Sequence, residues 1–82
     1  MAHGNWKFDA YDTDTNELIL EHVDSVTMCE WILDEFSAGT TKRAFKAAQA
    51  AYDAIRNCAL TQEVWEAAVK YLHVDFQMCI QF

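Results

Sequence analysis

Apolar residues recur at every second position near both ends of this chain and at every third or fourth position between them. A period of two belongs to a strand with one face covered; a period near 3.6 belongs to an amphipathic helix. The change of period dictates a mixed α+β fold, in which terminal strands must find each other across a helical block.

The first alternating stretch spans residues 5–11. Trp6, Phe8 and Ala10 fall on one face, and Lys7, Asp9 and Tyr11 on the other. Asp12-Thr13-Asp14-Thr15-Asn16 comes next, and such short polar side chains bond their own backbone in turns. Alternation resumes from Glu17 to Val23, with Leu18, Leu20 and His22 opposite Glu17, Ile19, Glu21 and Val23. Two strands around a short polar turn make a β-hairpin.

The middle of the chain reads as three helices. Thr27-Met28-Cys29-Glu30 has the pattern of a capping box, with Ser25 as the competing start. Met28, Trp31, Ile32 and Phe36 form its stripe, and Gly39 supplies a left-handed stop. Thr40 or Thr41 opens the second helix, whose apolar series is Phe45, Ala48, Tyr52, Ile55 and Ala59, in alanine-rich sequence that favours helix. Thr61 caps a third helix with Glu63 in its first turn and Trp65, Ala68, Val69 and Leu72 on its stripe. From Val74 to Phe82 alternation returns, and it favours a strand over a helix continued through Leu72, Phe76 and Ile80.

Short connections reverse the chain at each step, so the last strand runs opposite to the first and along the second. It pairs beside the first. The expected fold is one α+β domain over residues 1–82: a β-hairpin, three helices and a C-terminal strand. The strands form a three-stranded antiparallel sheet of order 2-1-3 with the helices on one face.

Composition narrows the function. With Gly4 and Gly39 its only glycines, the chain cannot build a phosphate-cradling loop, a dinucleotide fingerprint or a Gly-flanked serine elbow. Cys29, Cys58 and Cys79 are odd in number and lack CxxC spacing, and Met1-Ala2-His3-Gly4-Asn5 lacks the basic region and apolar run expected of a signal peptide. Reduced thiols and a cytoplasmic location are expected. No apolar run reaches the length of a membrane span. A net charge of −7 argues against direct nucleic-acid binding through a basic surface.

Motifs that imitate catalytic or metal sites fail at decisive positions. Asp12-x-Asp14-x-Asn16 opens like a calcium loop, but Glu17 stands where that loop needs Gly and Val23 where it needs a bidentate Glu. His3, His22, His73 and the cysteines lack the paired spacing of structural zinc. His73 and Cys79 share a strand face about 20 Å apart, too far for a nucleophile–base pair. Asp34 with Glu35, and Glu63 with Glu66, read as solvated helix faces rather than an acid–base pair across a cleft. Neither enzyme activity nor a metal or other cofactor is expected.

Charge layout is the remaining lead. Residues 1–41 carry nine acids against Lys7 alone, whereas residues 42–60 carry Lys42, Arg43, Lys46 and Arg56 against Asp53. Cations in the first turn of a helix oppose its dipole. Asp34 and Glu35, just before them, are their expected partners, with a bound anion as the rival. From Asp9 to Asp24 there are six acids and no Lys or Arg. Tyr11, Ile19 and Val23 share the expected outward face, and an apolar patch rimmed by acids suits a protein partner. Asp9, Tyr11, Asp12, Asp14, Glu17, Ile19 and Glu21 are the candidate partner-binding residues, and a protein with a basic surface is the candidate partner. Small acidic anti-restriction and anti-CRISPR proteins resemble this chain in size and charge, without a shared motif. That resemblance implies a stoichiometric inhibitor acting as a nucleic-acid mimic. The alternative is a homodimeric structural or regulatory module, paired through a sheet edge or the Ala-rich helix.

Overall fold

Two strands, a helical block and a final strand follow one another as the periods dictate. The computed structural model describes residues 6–37 and 39–80. The elements in order are β1 (Trp6–Asp12), β2 (Leu18–Val23), α1 (Ser25–Phe36), α2 (Lys42–Arg56), α3 (Gln62–Ala67) and β3 (Val74–Ile80). A π-helical segment, Ala68–Leu72, continues α3. The sheet has order β2-β1-β3, and both pairings are antiparallel. The expected strand positions Asn5, Gln81 and Phe82 lie outside the described residues.

β1 and β3 pair in unbroken register, from Trp6 opposite Ile80 to Asp12 opposite Val74. Residues opposite each other share a sheet face. Phe8, Ala10, Val74 and Phe76 are all buried and form one cluster with Met28 and Ile32 of α1 and Ala48, Ala51 and Ile55 of α2. The helices thus cover one sheet face. Trp31 ties α1 to β3 by edge-to-face packing on Phe76, with ring centroids 6.3 Å apart.

Two helix readings need correction. The N-cap of α1 is Asp24, whose carboxylate accepts from the Thr27 N–H at 2.8 Å. Thr27 therefore lies inside the helix. Asp is as strong a cap as Ser or Thr, and its position at the end of the hairpin decides the start. In α2, capped by Thr41, the buried residues are Ala44, Ala47, Ala48, Ala51 and Ile55. Phe45 is 45 % exposed. The helix is rotated so that its methyl groups approach the core closely, and the bulkier Phe45 is turned out. Gly39 takes φ +71° in the α1–α2 link, as expected of the left-handed stop.

α2 ends in a Schellman motif. Cys58 N–H donates to the Ile55 carbonyl and Ala59 N–H to the Ala54 carbonyl, with Cys58 at φ 52° in the usual glycine position. Ala59 consequently lies beyond the helix. Among the described residues no helix is long and apolar enough to cross a membrane.

Candidate protein-binding surface

The hairpin pairing departs from simple alternation. Phe8 lies opposite Val23, Ala10 opposite Leu20 and Tyr11 opposite Leu18. From Phe8 to Ala10, β1 advances two residues and β2 three. From Ala10 to Tyr11, β1 advances one and β2 two. β2 therefore accommodates two extra residues, as β-bulges do, and His22 sits there in the left-handed region at φ 50°. Each extra residue reverses the facing of the strand positions beyond it. Leu18, expected inward, pairs with Tyr11 on the outer face and is 44 % exposed. Val23 and Ile19, expected outward, pack against the core. Ile19 is therefore not part of an outward patch.

Asp9 is a second correction. It faces away from the helices, but it is only 7 % exposed. Its Oδ1 accepts the His22 backbone N–H at 2.6 Å and lies 3.0 Å from His22 Nδ1. The Cys79 thiol reaches its Oδ2 at 3.7 Å. Burial alone raises the carboxyl pKa, but the two His22 bonds, the nearby imidazole charge and the thiol bond outweigh it and hold Asp9 below the usual carboxylate range. Asp9 is therefore a staple that satisfies the N–H freed by the irregular β2 pairing.

Asp9, His22 and Cys79 together are a constellation that sequence spacing hid, because the three residues meet only through strand pairing and the extra residues of β2. Its order does not suit nucleophilic catalysis, which needs the imidazole in contact with the thiol. Here the carboxylate stands between them. Burial, the Asp9 charge and the bond to Asp9 push the Cys79 thiol up, and burial does the same for Cys29 and Cys58. Thiols held in the protonated form are weak nucleophiles. Among the described residues no group of three or more His, Cys, Asp or Glu side chains could hold a metal ion.

Other hairpin carboxylates divide by role. Asp12 Oδ1 accepts from the N–H groups of Asp14 at 2.8 Å and Thr15 at 3.2 Å, so this carboxylate builds the turn. Asp14 is exposed and lies 3.6 Å from His73 Nδ1. Glu17 and Glu21 are exposed. Among the described residues the only ion pairs are His22–Asp9 and His73–Asp14, so no Lys or Arg lies within ion-pair range of a hairpin carboxylate. By the same observation, the expected pairing of Lys42, Arg43 and Lys46 with Asp34 and Glu35 is not formed.

The outer face carries a row of Leu18, Tyr11 and Asp75 across the three strands. At the β3 end, Asp75 Oδ1 accepts from Trp65 Nε1 at 2.7 Å and from Gln77 Nε2 at 2.6 Å. The Tyr11–Leu18 pair is what remains of the expected patch, and Asp14, Glu17 and Glu21 are exposed elsewhere on the same hairpin. Compared with family models, curated proteins and solved structures, the chain finds no significant match.

Proposed function

We propose that this chain is a non-catalytic, cytoplasmic protein-binding module whose hairpin docks on a basic surface of a partner protein. The supporting observation is the Tyr11–Leu18 pair on the sheet face away from the helices, on a hairpin whose exposed Asp14, Glu17 and Glu21 have no Lys or Arg within ion-pair range among the described residues. The partner class is a protein with a nucleic-acid-binding groove, and the action is stoichiometric inhibition by occupying that groove. The three free thiols suit a reducing compartment.

The test begins with proteins captured at low salt and released at high salt. Association rates are then measured for the wild type and for Asp14→Lys with Glu17→Lys, in the presence and absence of competing duplex DNA. Charge-steered docking slows by an order of magnitude or more on reversal and weakens with salt. Equal rates, or binding indifferent to salt and to DNA, refute the reading.

A homodimer is the second reading, and the sheet favours one route to it. β3 is an edge strand in regular register along its whole length, whereas irregular pairing blunts the β2 edge. The Ala-rich helix offers less, because Ala44, Ala47, Ala48 and Ala51 are spent on the chain's own core. A solution mass that stays near 9.4 kDa across concentrations removes this reading.

A further inference from the structure

Among the described residues four large apolar side chains are exposed, and three of them, Val26, Leu33 and Phe45, lie on α1 and α2. Leu33 is 54 % exposed and Val26 63 %. Leu33 borders two adjoining depressions between α1 and α2: one runs to Phe36, Phe45 and Tyr52, and the other to Val26 and Arg56. The first alone encloses ≈ 330 Å³. Together they make a furrow along α1, about 16 Å long from Val26 to Ser37 at helical rise. Val26, Glu30 and Leu33 succeed each other at spacings of four and three, as do Phe45, Gln49 and Tyr52 on α2, so each helix presents one stripe to the furrow. Glu30 and Asp53 edge it against the single cation Arg56.

We infer that this furrow is a docking site for an amphipathic helix of a partner protein, with apolar residues at i, i+3, i+4 and i+7 and Lys or Arg beside them. Both walls are helices whose backbone groups are bonded internally, so an added strand finds no ladder here. A helix satisfies its own backbone and needs only apolar side chains to fill the furrow. The acidic rim selects its flanking charge. A second copy docked through the same furrow would instead bring the same two carboxylates onto this rim. The site is separate from the hairpin surface, because the helices cover the opposite face of the sheet.

The probe is a synthetic amphipathic peptide of about 16 residues, with Leu at i, i+3, i+4 and i+7 and Lys at the other positions. A counterpart carries Glu in place of Lys. The ¹⁵N-labelled full chain is titrated with each, and amide shifts are mapped. Saturable shifts confined to Val26–Ser37 and Phe45–Arg56 are expected with the Lys peptide. Binding should weaken about tenfold or more in Leu33→Asp and in Phe45→Ala, two exposed positions, and with the Glu peptide. Shifts centred on Asp12–Glu21 overturn the proposal, since the peptide then reads only the acidic hairpin. So do an absence of saturation, affinity unchanged in both variants, or a peptide-free mass that rises with concentration in the wild type but not in Leu33→Asp, which would make a second copy the occupant.

Discussion

Among the described residues Asp9 stands out, because one carboxylate bonds a strand irregularity, an imidazole and a thiol. Its folded pKa is depressed. Its contribution to stability is therefore complete above the unfolded value, near pH 4, and is lost as pH falls through the folded one. Asp9→Ala leaves the His22 N–H without its acceptor and should cost about 1–3 kcal/mol at pH 7 by denaturant unfolding. Asp9→Asn keeps an acceptor but removes the titration. Between pH 5 and pH 2.5 it should lose less stability than the wild type, and equal acid slopes would locate that slope elsewhere. His73 offers the opposite experiment. It ends the π-helical segment at φ 58° with its side chain 59 % exposed. The left-handed region costs a non-glycine residue about 1 kcal/mol. His73→Gly should raise the melting temperature by roughly 4–8 °C, since little contact is lost.

At the scale of elements, caps and stripes settle where helices begin and which side they bury. Asp24, rather than Thr27, holds the first N–H groups of α1. Thermal unfolding should show Asp24→Ala destabilised by about 1 kcal/mol. Thr27→Ala should stay within about 0.5 kcal/mol of the wild type, as a residue inside the helix without a capping role. A reversed ranking would restore the capping box. α2 shows how packing chooses between two faces that a period permits. A stripe through Phe45 and one through Ala44, Ala47 and Ala51 both repeat at helical spacing, and the alanines allow α2 closer to its neighbours. Phe45 is left to line the α1–α2 furrow.

For the whole molecule, β3 is decisive. It covers one side of β1 and contributes Val74 and Phe76 to the only buried hydrophobic cluster among the described residues. Burying each large side chain is worth about 1.5–3 kcal/mol, and the total stability of such a domain is only about 5–15 kcal/mol. Truncation after Leu72 should therefore abolish cooperative unfolding in a denaturant titration. A truncated chain with a sharp two-state transition would show that the hairpin and helices fold without their third strand. The charge layout is also a property of the whole. Six acids from Asp9 to Asp24 face no Lys or Arg in ion-pair range, while Arg43 and Lys46 flank an alanine-lined depression with Tyr71. Unpaired fields of both signs steer association rather than hold the fold.

Element type, element order and strand order were legible in the sequence, because period, turn residues and short connections are local properties of the chain. The Asx turn at Asp12 and the caps at Thr41 and Thr61 were legible for the same reason: a side chain bonds an N–H two or three residues away. Facing was not. One extra residue in a strand reverses every position beyond it, so the candidate patch lost Ile19 and gained Leu18. Nor was the role of each carboxylate legible. Asp9 and Glu21 carry the same charge on neighbouring strands, and only the pairing of β1 with an irregular β2 and with β3 determines which one is buried as a staple and which remains in water.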